Sequence, residues 1–259
     1  MQQTPSFLRY YRILRVIVHT LVGLVIAAGV LPLVSAYRRG LIIRWWCHIL
    51  LKCFNIQVNT FGSPPGVTTK STMFVANHIS WSDIHALNSI IPVRFIAKLE
   101  IKSWPVFGYL VTKSGTLFIN RTIRRDAARI VEMTTDSLRQ FENVCFFPEG
   151  TTTDGTHMLP FKSSIVQAAI DAEASIWPVT VYYPTPSGEP NLKMAFAGET
   201  TMIESMDQIL RIKYPVVELH FLAPIACQGQ TRQSVTHLAR EVIMTTFKQR
   251  LAHQHAKDF

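Results

Sequence analysis

Residues 16–37 read VIVHTLVGLVIAAGVLPLVSAY, with no formally charged side chain anywhere in the run. About 20 such residues are what a helix needs to cross the hydrocarbon core of a bilayer. The stretch therefore predicts a membrane-associated helix. Gly29 and Pro32 permit a break, so two geometries are open: a helix that spans, and a hairpin that dips into one leaflet. A cleaved signal peptide fits less well, because the apolar run is longer than an ordinary h-region. Arg9, Arg12 and Arg15 precede it, and Arg38 and Arg39 follow it. Basic residues on both sides leave the positive-inside rule little to choose between, which favours a segment whose two ends face the same side. Residues 41–54 (LIIRWWCHILLKCF) are too short to span, and Arg44, His48 and Lys52 recur at about one helical turn. They fit an interfacial amphipathic helix with Trp45 and Trp46 near the headgroups, and equally a helix facing a protein core. Residues 1–60 are read as an N-terminal membrane-anchoring helical segment.

The turn cluster Gly62-Ser63-Pro64-Pro65-Gly66 marks a change of pattern. Short apolar runs at 71–76, 94–97, 115–119, 144–147, 175–183 and 216–222 predict strands. Helical spacing predicts helices at 82–90, 124–141, 161–172 and 231–251. Strands alternating with helices imply an α/β fold with a mostly parallel sheet flanked by helices, here preceded by the membrane-associated segment. The 259 residues, 48% of them hydrophobic, suffice for one such domain over 61–259.

The net charge of +9 suits nucleic acid, an anionic membrane surface or an acidic substrate. No long Lys/Arg block, zinc-finger spacing or ribonucleoprotein motif occurs, so no nucleic-acid partner is expected. Cys47, Cys53, Cys145 and Cys227 form no C-x-x-C pair and are read as reduced thiols, which points to the cytosolic side.

Two strand-end motifs carry chemistry. Asn77-His78-Ile79-Ser80-Trp81-Ser82-Asp83 follows the strand at 71–76. On one continuous helix, His78 and Asp83 would point about 140° apart. A strand-to-helix turn supplies the bend that brings them together, with Ser82 as N-cap and Asp83 in the first turn. The carboxylate then holds one imidazole nitrogen and leaves the other as a base for a hydroxyl. A lone H-x-x-x-x-D is common by chance, and a strand-end histidine bonded to backbone explains most such matches. The second motif is Phe147-Pro148-Glu149-Gly150-Thr151-Thr152-Thr153-Asp154-Gly155 after the strand at 144–147. Its glycine lets backbone approach a ligand, and Glu149 can accept from a glycerol-type hydroxyl. A tight turn ending in a helix cap is the bland alternative. Between the motifs lie Lys98 and, just past a strand, Arg121, whose fork suits a phosphate but which alone is more often a solvated charge.

In this order the blocks NHISWSD, FIAKLEIKSWPVFGYL, GTLFINR, FPEGTTTDG and WPVTV resemble the glycerolipid acyltransferase family, in particular its lysophosphatidic acid acyltransferase branch. The resemblance covers roughly residues 71–225 and makes 61–259 an acyltransferase domain. It implies a direct transfer of a fatty acyl group from acyl-carrier protein or acyl-CoA to the free hydroxyl of a lysophospholipid. His78 would be the general base and Asp83 its orienting partner. Arg121, Glu149, Gly150 and Thr151 would bind the acceptor, with Lys98 on its phosphate. No cofactor beyond the thioester co-substrate and no metal is implied. The location implied is the cytoplasmic face of the inner membrane. Thr152 stands where the family pattern has Arg, which removes a cation from the headgroup loop. A lyso-ornithine lipid is therefore the alternative acceptor, since related enzymes with a Thr-rich loop use such lipids.

Rival readings fare worse. Ser80 and Ser82 lie near His78, but no G-x-S-x-G elbow supports a serine hydrolase. His78, Asp83 and His85 lack the further His/Asp cluster a metal hydrolase needs. A non-catalytic lipid-binding protein on the same fold would have no use for the intact His/Asp pair.

Overall fold

A computed structural model describes residues 3–66, 68–120 and 123–252. Arg121 therefore lies outside the described residues. The chain opens with α1 (Ser6–Val25), which continues through one π turn (Ile26–Val30) and a 3-10 turn (Leu31–Leu33). α2 (Ala36–Phe54) then folds back, capped by the Ser35 hydroxyl accepting from the Arg38 N–H. The two helices approach closely where Trp46 stacks on His19 at 4.8 Å and lies over Gly23. A Cβ at Gly23 would meet the indole Nε1 at 2.6 Å, so any larger residue there would have to push the Trp46 ring aside.

α1 has two apolar faces. Val16, His19 and Gly23 are buried against the protein. Phe7, Tyr10, Leu14, Ile17, Leu21 and Val25, spaced three or four apart, form an exposed stripe. Among the described residues, Ser6–Leu33 is the one helical run long and apolar enough to cross a membrane. Its start is tied down by buried Arg12, which donates to the carbonyls of Ile212 (2.8 Å) and Lys213 (2.9 Å). α2 combines both readings of residues 41–54. Cys47, Leu50, Leu51, Cys53 and Phe54 enter the core, while Trp45 is exposed.

The domain is a seven-stranded sheet of order β1-β7-β6-β2-β5-β3-β4. The strands are β1 (Gln57–Gly62), β2 (Thr72–Ala76), β3 (Arg94–Lys98), β4 (Leu117–Ile119), β5 (Val144–Phe146), β6 (Ser175–Tyr182) and β7 (Val216–Phe221). All pairs are parallel except β6–β7. Every residue of β2 is buried, as a central strand covered on both faces requires. The helices are α3 (Ser82–Ile90), α4 (Phe107–Lys113), α5 (Arg124–Arg139), α6 (Gln167–Asp171), α7 (Met202–Leu210) and α8 (Arg232–Ala252). α8 packs on β6. The four cysteines are free and buried.

The expected elements are present, with helix 161–172 shortened to α6. Three more, β1, α4 and α7, had no sequence expectation. One local expectation is corrected. Trp81 is the N-cap of α3, and Ser82 sits inside the first turn, its hydroxyl taken by Tyr183 and Ser80.

Candidate active site

β2, β3 and β5 run parallel, so their C-terminal ends open on one edge of the sheet, where α/β folds gather ligands. β2 leads into His78, β5 into Phe147 and Glu149, and β3 ends at Lys98. Asn77 fixes the strand end. Its carboxamide donates to the Val181 carbonyl (2.9 Å) and accepts from the Val181 N–H (2.7 Å), standing in for a ladder partner on β6.

The chain bends between His78 and Asp83 as their spacing demands. His78 Nδ1 lies 2.8 Å from Asp83 Oδ2. The same oxygen accepts from the backbone N–H groups of Ile79 (2.8 Å) and Ser80 (3.0 Å). Asp83 is completely buried and sits in the first turn of α3, where the helix dipole favours a carboxylate. The imidazole stacks flat on Phe147 at 3.8 Å and 7°, and this packing fixes its plane. Held by Asp83 on one nitrogen, it has its other nitrogen without a partner among the described residues, and the ring lines a cavity.

Glu149 is buried beneath this turn. Its Oε1 accepts from the His78 N–H at 2.8 Å and its Oε2 from the Leu159 N–H at 2.7 Å. Burial pushes its carboxyl above the usual range, opposed by those two hydrogen bonds. The structure thus places Glu149 as a clamp on the histidine turn and not on the cavity wall. Gly150, Thr151 and Thr152 do line the cavity, with Gly150 at φ 82°, a conformation that favours glycine. The Thr152 hydroxyl donates to the Phe196 carbonyl, and the Thr153 N–H donates to the His78 carbonyl at 2.9 Å. Lys98 is exposed and lines the cavity, and its side chain has no partner among the described residues.

The cavity holds about 620 Å³. Beyond the polar end at His78 and Lys98, its walls are mostly apolar, with Thr20, His85, Asn88, Ser114 and Thr116 among them. Val16, Ala27, Trp46 and Leu50 come from α1, its π turn and α2, while Trp104 and Phe107 come from the other side. Such a chamber suits an alkyl chain with its reactive end at His78. His85, weighed from sequence as a metal ligand beside His78, instead faces Cys47. Among the described residues no three His, Cys, Asp or Glu side chains converge on a common point.

One residue was missed from sequence. Tyr183, immediately after β6, donates its hydroxyl to Asp83 Oδ1 at 2.5 Å. A tyrosine ending an apolar strand is the signal that pointed to it.

The Acyltransferase family model matches residues 62–182. The chain is 32% identical over 200 residues to the lyso-ornithine lipid O-acyltransferase of Pseudomonas aeruginosa, covering 77% of this chain and 76% of that one. It is 41% identical over 183 residues to the 1-acyl-sn-glycerol-3-phosphate acyltransferase of Neisseria gonorrhoeae, covering 70% and 71%. The fold is shared with the crystal structure of the 1-acyl-sn-glycerophosphate (LPA) acyltransferase PlsC of Thermotoga maritima. There the TM-score is 0.56 at 19% identity, with 92% of this chain and 97% of that chain covered. The chain belongs to the acyltransferase family. It is an enzyme of acyl transfer, built on a mostly parallel sheet with a helical N-terminal extension.

Proposed function

We propose that this enzyme moves a fatty acyl group from an acyl thioester to the free hydroxyl of lysophosphatidic acid, giving phosphatidic acid. The observation that carries the reading is the His78–Asp83 pair at 2.8 Å, at the polar end of an apolar cavity. Asp83 holds the Nδ1–H tautomer, and the other nitrogen takes the proton of the acceptor hydroxyl. The alkoxide oxygen attacks the thioester carbon, and backbone N–H groups of the turn after Gly150 meet the oxyanion. The carbon–sulfur bond then breaks, and the thiolate leaves with the proton held by His78. No metal or cofactor enters this scheme.

Lys98 and Arg121 are the cations proposed to hold the acceptor phosphate, with Gly150 and Thr151 against its glycerol. Glu149 supports the site through the His78 backbone. The donor is acyl-carrier protein or acyl-CoA, which present the same thioester. The exposed stripe of α1 and the break at Leu31–Leu33 support a hairpin seated in one leaflet. Lipid would then reach the cavity between the helices without leaving the membrane. Four buried free cysteines support the cytoplasmic face of an inner membrane.

A second acceptor is favoured by one observation. Position 152 carries no cation, and its hydroxyl is spent on the Phe196 carbonyl. That suits a lyso-ornithine lipid, the class named in the Pseudomonas relative. The test offers the purified, detergent-solubilised protein lysophosphatidic acid and lyso-ornithine lipid side by side with an acyl thioester. Preference for the first supports the main reading. Preference for the second replaces the acceptor and keeps the chemistry, and transfer to neither refutes both.

A further inference from the structure

α3 carries a second histidine into the cavity. Trp81, Ile84, His85 and Asn88 recur at helical spacing on the face that lines it. His85 stands four residues beyond Trp81, about 6 Å further along the helix axis. It lies among groups that are mostly apolar, with Asn88 the polar neighbour on the same helix face. The edges of Trp46 and Trp81 flank its ring at 5.9 and 5.6 Å.

Its polar contacts are incomplete. Nδ1 lies 3.6 Å from the Sγ of Cys47, a free and buried thiol. With the thiol as donor to Nδ1, the ring proton sits on Nε2. Nε2 has no hydrogen-bond partner among the described residues, and it is not sealed among packed side chains. Burial, helped by the nearby His19, pushes the imidazole down to about 4, so the ring is neutral at physiological pH. In that tautomer Nε2 is a neutral N–H donor facing a mostly apolar chamber, and hydrocarbon alone beside it would leave it unmet, at a cost.

We infer that His85 Nε2 donates a hydrogen bond to an oxygen carried on a lipid chain lying in this cavity, which makes His85 a specificity-determining residue. The shared chemistry is an acceptor oxygen near the head of an alkyl chain. Its sources are the ester carbonyl that a lysolipid already bears and a hydroxyl on the incoming acyl chain. The inference rests on the acyltransferase reading for the kind of lipid, but it concerns binding and can be tested apart from turnover.

Trp46 and Trp81 supply the readout, because ligand entering beside His85 changes their fluorescence. The full chain in detergent is titrated with two matched pairs. One is 1-palmitoyl and 1-hexadecyl lysophosphatidic acid, ester against ether. The other is hexadecanoyl-CoA and 3-hydroxyhexadecanoyl-CoA. Wild type should bind the oxygen-bearing member of one pair about fivefold more tightly, the scale of one neutral hydrogen bond. The pair that discriminates identifies the source. His85→Phe should abolish the difference by weakening only the oxygen-bearing ligand. His85→Gln retains a donor, should retain the preference and serves as the folding control. Equal binding within both pairs by wild type, or a preference that survives His85→Phe, overturns the inference. Loss of acyl transfer without loss of this preference would count against the proposed reaction alone.

Discussion

Tyr183 donates its hydroxyl to Asp83 Oδ1 at 2.5 Å, and both side chains are sealed from solvent. Burial and the adjacent carboxylate hold the phenol well above its usual range, so it remains a donor at any working pH. Asp83 therefore accepts from four donors: the His78 ring, the Ile79 and Ser80 amides, and Tyr183. Buried carboxyl oxygens need their hydrogen bonds met, and these four donors fix the group in place. Removing the phenolic oxygen loses a bond to a charged group, worth about 1.5–3 kcal/mol. Tyr183→Phe should fold and bind acceptor normally but lower kcat by about tenfold. Unchanged kcat would mean that the two backbone amides alone fix Asp83.

Glu149 makes a prediction with a definite sign. Its folded-state pKa is raised by burial, so its contribution to stability is present below the ordinary carboxylate value and is lost as pH climbs through the raised one. Glu149→Gln cannot titrate. Urea unfolding of both proteins between pH 4 and 7.5 should show wild type losing stability relative to the variant as pH rises. A gap that does not move with pH would contradict the raised pKa.

The two faces of α1 should separate by mutation. Leu14, Ile17 and Leu21 are exposed, so changing all three to serine should leave the fold intact and weaken binding to anionic vesicles. Arg12→Ala acts on the other face. It orphans the buried Ile212 carbonyl and should destabilise the protein by about 1–3 kcal/mol. Flotation with vesicles and thermal melts distinguish the two outcomes. Full vesicle binding by the triple variant would sink the assignment of the stripe to lipid.

Lys98 is an exposed cation at the polar end of the cavity, without a partner among the described residues. Lys98→Ala should raise KM for lysophosphatidic acid about tenfold, as loss of a charge-assisted contact would, with kcat little changed. A KM within twofold of wild type would remove Lys98 from headgroup binding.

Much of this was legible because the signals are local. β2 and β5 announce themselves as continuous apolar runs, and the spacing of His78 and Asp83 demands a turn that the structure supplies. What escaped depends on pairing at a distance. β1 is a mostly exposed edge strand whose polar residues carry no strand pattern, and it exists through its register with β7, from Gln57 beside Val216 to Gly62 beside Phe221. Glu149 was read as a ligand group because nothing in the motif reveals that the His78 and Leu159 amides will claim its oxygens. Tyr183 lies 100 residues from Asp83, a contact only the β2–β6 pairing creates. The role of Ser82 changed for the same reason, since its hydroxyl turns to Tyr183 rather than capping α3.

The central claim is that the His78 imidazole takes the acceptor proton. The direct measurement is the single-turnover rate of acyl transfer by purified His78→Ala beside wild type, with acceptor binding checked on both. A loss of at least about a hundredfold in rate with acceptor binding intact is the expected result, in line with general base catalysis. Equal rates in the two proteins would contradict it and leave the cavity as a lipid-binding chamber without this catalyst.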